Sequence, residues 1–234
     1  MTAPARRLLI LSLSLLPAVA AADEEPPKSV FYGLEVFSGY RTTYEFRNFR
    51  LADHVVELQA GTQVAVSNDL SLSLGAYAAH GEAGFTESSA FFDLRYLFRE
   101  GTTLGLSNSW RNYDGGPLQD TYEFGAFIEQ ELPANLSLRL GHLTDSGASG
   151  TYSSLELDHT HQFTRELSLH SRIGTSYTNS YYGRDGWNDI SARVRLRYRF
   201  DATWSISPYL GSSFGLNDEG QDTVYAGIDL EFLF

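Results

Sequence analysis

The chain has no cysteine, one methionine and 7 prolines among its 234 residues, and only 17 Lys and Arg against 29 Asp and Glu. Without cysteine neither a disulfide nor a cysteine-based metal site is possible. The shortage of base leaves a formal net charge of -12. This excludes nucleic acid as a partner, because a phosphate footprint needs clustered Lys and Arg that outweigh the protein's own acids. Long apolar runs are missing too: no stretch of about 18 apolar residues occurs, which rules out a bundle of membrane helices, in keeping with a mean hydropathy of -0.23. A sustained apolar stripe of helical period is absent as well, so helices are few. What the chain does have is 15 Phe, 14 Tyr and 21 Gly, with 42% hydrophobic residues. That is too apolar for disorder and sufficient for one folded domain.

The first twenty residues read as an address. Arg6 and Arg7 precede the apolar run Leu8 to Leu16, and Ala18-Val19-Ala20 supplies the small residues that a signal peptidase requires. Residues 1–20 are expected to be a signal peptide, 21–29 a short periplasmic lead containing Pro26 and Pro27, and 30–234 the folded body. The apolar run is too short to span roughly 30 Å of hydrocarbon as a helix.

The body alternates with a period of two in about twelve segments of about ten residues. They run 30–40, 54–66, 70–79, 89–98, 102–113, 121–130, 136–144, 151–163, 167–177, 189–200, 203–214 and 223–234. Their connections alternate in length. The segments 67–69, 99–101, 131–135, 164–166 and 201–202 are tight turns, whereas 41–53, 80–88, 114–120, 145–150, 178–188 and 215–222 are longer. Sorting of loops by parity is expected of an outer-membrane barrel, with short periplasmic turns and longer outside loops, and has no purpose in a soluble sandwich. An even strand number places both termini in the periplasm.

The two faces have opposite chemistry. One carries Leu70, Leu72, Leu74 and Ala76; Ala90, Phe92, Leu94, Tyr96 and Phe98; and Ile190, Ala192, Val194, Leu196, Tyr198 and Phe200. The other carries Ser71, Ser73 and Gly75; Asp93 and Arg95; and Arg193, Arg195, Arg197 and Arg199. A packed soluble core could not hold those charges unpaired, whereas a barrel with lipid outside and a polar lumen can. The expected fold class is therefore all-β, a transmembrane antiparallel up-and-down β-barrel of about 12 strands in a bacterial outer membrane. Its surroundings would be the lipid bilayer and lipopolysaccharide. The last strand alternates through Ile228, Leu230 and Phe232 to Phe234, which resembles the C-terminal signal read by bacterial barrel-assembly machinery.

A family likeness rests on short phrases. The stretch from Ser38 to Asp53, with Tyr44-Glu45-Phe46-Arg47-Asn48 at its centre, resembles the opening of the TorF-like porin group, where a Tyr-x-Phe-Arg-Gly segment follows the first strand. Thr86-Glu87 and Asp120-Thr121-Tyr122-Glu123 extend the likeness along the chain. Asn48 stands where that group usually has Gly, and Asn is the next most tolerant residue of positive φ, so a tight bend survives. The resemblance implies an outer-membrane barrel with a porin role and no catalytic residues to carry over.

Parity places the acids Glu35, Glu57, Asp93, Glu123, Glu129, Glu156, Asp158, Asp229 and Glu231 in the lumen, with the bases Arg95, Arg111, Arg139, Arg172, Arg193, Arg195, Arg197 and Arg199. Arg193 to Arg199 form a ladder of about 20 Å at the strand rise, with Arg172 on the neighbouring strand. Glu35, Glu57, Asp229 and Glu231 form an acidic wall, expected to oppose the ladder and to produce a transverse field. Such a ladder is similar to the basic tracks of oligogalacturonate-specific monomeric porins, which implies a preference for anions or acidic saccharides. The expected function is passive diffusion of small hydrophilic solutes. Inward glycines 75, 105, 125, 141, 174, 211 and 227 are expected to leave room beside the charges. The alternative is a lumen plugged by paired charges, in a closed barrel serving structure or adhesion through its loops.

No nucleophile, base and orienting group assemble into an enzyme site, and no cofactor or metal is expected. His159 and His161 share an outward face near the headgroups. The acids of Asp114-Gly115-Gly116-Pro117 and Asn217-Asp218-Glu219-Gly220 lack the spacing of an EF-hand. Tyr181, Tyr182, Arg184 and Trp187 make the most aromatic outside loop, suited to saccharide contact or to an interfacial girdle.

Overall fold

A computed structural model describes residues 30–234; the expected signal peptide, 1–20, and lead, 21–29, lie outside the described residues. Twelve strands follow one another: β1 (Val30–Phe46), β2 (Phe49–Ala65), β3 (Leu70–His80), β4 (Thr86–Arg99), β5 (Thr102–Asp114), β6 (Thr121–Leu132), β7 (Leu136–Asp145), β8 (Gly150–Gln162), β9 (Leu167–Tyr181), β10 (Arg184–Arg199), β11 (Trp204–Gly215) and β12 (Thr223–Leu233). Each pairs antiparallel with its sequence neighbours, and β12 pairs with β1 to close the barrel. At the seam Val36 faces Phe232 and Tyr40 faces Ile228. Beyond the last ladder pair Leu34 and Phe234 exchange backbone hydrogen bonds of 3.0 and 2.9 Å. Closure leaves no edge strand with unsatisfied backbone groups, which hydrocarbon would not tolerate.

Alternation sets the two surfaces. Leu74, Phe92, Leu106, Ile128, Leu140, Ile173, Val194 and Leu210 point outward and are exposed. Aromatics flank this belt at both ends. Tyr96, Phe98, Phe163, Tyr198 and Phe200 lie toward the end that carries the termini, and Tyr40, Trp110, Tyr122, Tyr177 and Trp187 toward the other. Phe200 stacks on Trp204 at 3.7 Å between ring centroids, and Trp187 meets Tyr177 edge-on at 5.8 Å. An apolar belt between aromatic girdles is the surface a bilayer requires.

Two expectations need correction. Two of the six connections expected to be long are largely strand. The segment 41–53 becomes the ends of β1 and β2 around a two-residue turn at Arg47 and Asn48, and 178–188 becomes the ends of β9 and β10 around Tyr182 and Gly183. These strand ends extend beyond the apolar belt, where outward residues need not be apolar, so the hydrogen-bond ladder continues after the hydropathic alternation has stopped. Arg47 and Asn48 both have positive φ, 53° and 66°, the geometry of a tight hairpin turn of the I′ kind. The other correction concerns parity in β10. Register shifts between Arg184 and Gly186 and between Trp187 and Asp189 bring the consecutive residues Asn188 and Asp189 both inside.

Candidate functional site

The inner wall carries charge along its whole length, and most of that charge is paired. Arg195 of the ladder reaches Asp229 at 2.5 Å and Glu231 at 3.0 Å, and Arg197 reaches the other oxygen of Glu231 at 3.0 Å. Ser205, on the intervening β11, donates to Glu231 at 3.0 Å and accepts from Arg197 Nε at 3.1 Å. Arg172 faces Arg193 in register but turns to β8, meeting Asp158 at 2.6 Å and Glu156 at 3.6 Å. Arg193 lies 5.7 Å from the Tyr209 ring. Arg199 and Glu35 line a small cavity of about 20 Å³ at the terminal end. Glu57 takes both Nε and Nη2 of Arg41, at 2.6 and 2.8 Å, and accepts from Tyr77 at 2.7 Å.

The basic ladder and acidic wall are thus not opposed across the lumen. In an up-and-down barrel β10 and β12 are separated only by β11, roughly 10 Å at the usual strand spacing. A guanidinium can reach across that gap, so the charges neutralise one another along the wall. Glu57 is neutralised by the adjacent strand. A transverse field from separated walls is correspondingly reduced.

Four of the seven inward glycines do not leave empty room. Gly75 faces Phe91, Gly105 faces Phe127, Gly211 faces Tyr225 and Gly227 faces Tyr209 in register. A Cβ added at any of the four would overlap that ring. Each glycine is a recess in which a cross-strand aromatic lies flat on the wall. The rings then support arginines: Arg139 sits 3.8 Å and Arg95 5.3 Å from the centroid of Phe127, favourable cation–π contacts.

At the end away from the termini the β1–β2 hairpin folds over the mouth. Arg47 Nη1 pairs with Glu123 of β6 at 2.6 Å and with Asp145 of β7 at 3.5 Å, and it donates to Tyr181 of β9. Asn48 is held by Ser213 at 3.0 Å and by the backbone of Gln221 at 2.7 and 2.9 Å. Asn188 donates to the Arg47 carbonyl at 3.2 Å, and Arg184 donates to the Asn48 carbonyl at 3.3 Å while lying 3.6 Å from the Phe49 ring. Tyr44, Phe46, Val55, Tyr77, Phe85 and Phe91 form an apolar cluster under the hairpin. Glu87 joins Tyr44 at 2.5 Å to Arg111 at 2.7 Å, and Arg111 reaches Glu123 at 3.1 Å. One buried network therefore crosses the mouth.

Arg41, Glu45, Arg47, Glu87, Asp145, Arg184 and Asp189 belong to this site and were absent from the parity list. Six of them continue a strand parity already visible in the sequence: Arg41 and Glu45 that of Glu35, Glu87 that of Asp93, Asp145 that of Leu143, Asp189 that of Arg193, and Arg47 ends the same row as Glu45. Arg184 is hidden by the β10 bulge. Of the expected aromatic loop, Tyr181 is wholly buried beside Arg47, Tyr182 packs edge-on against Phe49 at 5.5 Å, and Trp187 alone faces outward. On the outer face the His159 and His161 rings meet at a tilt and His161 meets Phe163 edge-on, and among the described residues no group of three or more potential ligands surrounds a metal position. His170 lies between two hydroxyls, Ser168 at 2.9 Å and Thr160 at 3.1 Å.

No protein-family profile matches the chain, and no curated protein matches it in sequence. Solved structures do match in fold. A KdgM porin superposes with a TM-score of 0.61 at 13% identity, covering 86% of this chain and 99% of its own; it has also been solved in complex with disordered oligogalacturonate, with a TM-score of 0.60. The translocator domain of the autotransporter NalP from Neisseria meningitidis gives 0.57 at 13% identity, over 99% of this chain and 95% of that one. An outer membrane channel from Pseudomonas putida F1 gives 0.57 at 11% identity, over 92% and 98%. The shared property is the closed outer-membrane type of barrel, and the TorF-like group is not among these structures.

Proposed function

We propose that the protein is a porin-like channel of the bacterial outer membrane through which small hydrophilic solutes diffuse passively. The observation that carries this reading is the charged inner wall enclosed by an apolar outer one. A barrel needed only as a scaffold is more stable with an apolar filling than with desolvated ion pairs, so a lumen charged over its length supports a solute path. The likeness to porins and channels agrees with a non-enzymatic role. The terminal end with its tight turns lies in the periplasm on this reading, and the hairpin end faces outward near lipopolysaccharide. Ile228, Leu230, Phe232 and Phe234 serve as the assembly signal for the barrel-assembly machinery.

The solute preference we infer is for anions or acidic saccharides, through Arg172, Arg193, Arg195, Arg197 and Arg199. An incoming carboxylate would compete with Asp229 and Glu231 for Arg195 and Arg197, which keeps the preference modest. The alternative, a closed structural or adhesion barrel acting through its loops, is favoured by the hairpin network across the mouth. Single-channel conductance of the refolded protein in a planar bilayer under a salt gradient separates the two. Discrete steps with an anion-directed reversal potential are expected, and silence from a folded, heat-modifiable barrel would overturn the channel reading.

A further inference from the structure

The apolar belt is not equally tall all round the barrel. On β12 the outward residues are apolar from Val224 to Phe234, a run of roughly 33 Å along the strand and about 25 Å in height at a tilt near 40°. On β7 and β8 the belt is cut short at both ends. His142 of β7 faces Ser153 of β8, and the two side chains join at 2.9 Å. Further along β8, His159 faces Ser171 of β9. Only Leu155 and Leu157 lie outward between Ser153 and His159, with Leu140 and Leu138 beside them on β7, so the apolar height there is about 15 Å at the same tilt. The histidines stand inside the aromatic girdle. Phe163 is the girdle residue at the end of β8, as Tyr198 is on β10. Two and four residues inward of it β10 carries Leu196 and Val194, whereas β8 carries His161 and His159. The two imidazoles are 6.3 Å apart between ring centroids. Among the described residues no hydrogen bond reaches either ring or the Ser171 hydroxyl.

Ring nitrogens left unmet in hydrocarbon are costly, and a belt shorter than the bilayer is accommodated by local thinning. We propose that the β7–β9 flank is a docking surface for phospholipid headgroups. Phosphodiester groups of the leaflet at the terminal end rise to His159 and His161, which donate to their oxygens with Ser171 alongside. Arg165, exposed in the turn between β8 and β9 and in no ion pair among the described residues, adds a cation below the histidines. Its neighbour Glu166 is engaged by the Thr164 hydroxyl at 2.9 Å. A phospholipid is the occupant that fits, because the notch opens onto the girdle, where headgroups already lie. A second copy of the chain offers no anion to the imidazoles, since the outward positions of the belt carry no Asp or Glu. The inference rests on the barrel lying in a bilayer and is independent of whether the lumen conducts.

The chain has no cysteine, so the full barrel can carry a fluorophore on one introduced thiol. Leu157→Cys on β8 and Ala192→Cys on β10 are matched in depth, each six residues inward of its girdle aromatic. Both are folded into vesicles of equal dioleoylphosphatidylglycerol and dioleoylphosphatidylcholine, with a nitroxide either on the lipid headgroup or deep in the acyl chain. The ratio of headgroup to deep quenching is expected to be at least about twofold higher at position 157 than at 192, since headgroups there lie roughly 10 Å nearer, the height between Phe163 and His159. Adding His159→Leu with His161→Leu should bring the ratio at 157 down to that at 192. Equal ratios in the otherwise native barrel would overturn the proposal, whether or not the histidine variant folds. An unchanged ratio in the folded histidine variant would overturn it as well. Loss of quenching by both lipids, with energy transfer between labelled copies, would assign the face to a second copy and likewise overturn it. A high ratio at 157 in a barrel that does not conduct would sink the channel reading and leave the headgroup surface.

Discussion

Arg47, at the tip of the β1–β2 hairpin, lies 2.6 Å from Glu123 of β6, so an ion pair ties the hairpin to a wall four strands away from β2. The same guanidinium reaches Asp145 on the next strand. A turn of two residues has become the cross-member of the mouth. Replacing Arg47 by Ala leaves two buried carboxylates without it, and breaking such a pair destabilises by about 3 kcal/mol. Denaturant unfolding in lipid should register that loss, and single-channel records should show longer or larger openings. Unchanged conductance from the folded variant would mean that the hairpin does not gate the lumen.

The ladder makes a prediction of its own. Arg195→Glu with Arg197→Glu places two carboxylates beside Asp229 and Glu231, where the guanidiniums now lie at 2.5 to 3.0 Å. Reversal potential in a salt gradient should move toward cation preference. If it stays put in a folded barrel, those arginines serve the wall and not the solute.

Asn48 separates backbone geometry from tethering. Its φ of 66° suits glycine, but its side chain also binds Ser213 and Gln221. Asn48→Gly should keep the turn and lose about 1 kcal/mol with the tethers. Asn48→Val should lose roughly 1–2 kcal/mol more, because a β-branched residue resists the left-handed region. Thermal unfolding of the two variants would rank them; equal midpoints would refute the backbone argument.

Gly105→Ala tests whether the glycine recesses hold rings. A methyl group there displaces Phe127, on which Arg139 rests at 3.8 Å. Overpacking of this kind costs about 1–3 kcal/mol. Adding Phe127→Leu to Gly105→Ala should recover part of the loss, which a double-mutant cycle of unfolding free energies would measure.

At the seam, Phe234 is 74% exposed yet exchanges two backbone hydrogen bonds with Leu34. Deleting it should slow folding into bilayers that contain assembly machinery more than folding into detergent. Equal slowing in both would assign Phe234 to closure alone.

How much of this was legible beforehand follows from the range over which each signal acts. Twelve strands and their inward and outward faces could be read because side chains on a pleated strand alternate with a fixed period of two, a property of the local backbone. Glu123, Arg139 and Asp229 fall inside for that reason. The ends of β1, β2, β9 and β10 could not be read, because hydropathy marks where lipid is and the ladder outlasts it. The glycines show the same divide: small size at Gly105 is written in the sequence, but Phe127 lying in the recess depends on the β5–β6 register.

The sequence by itself determined a closed sheet with charge within and apolar side chains without, since no other arrangement satisfies both faces of such strands. Tertiary structure alone decided which charges meet. Arg195 finds Asp229 and Glu231 because β11 is one strand wide, and Arg47 finds Glu123 because its hairpin bends inward. Pairing depends on register, curvature and side-chain reach across a closed wall, and none of these is a property of neighbouring residues in the chain.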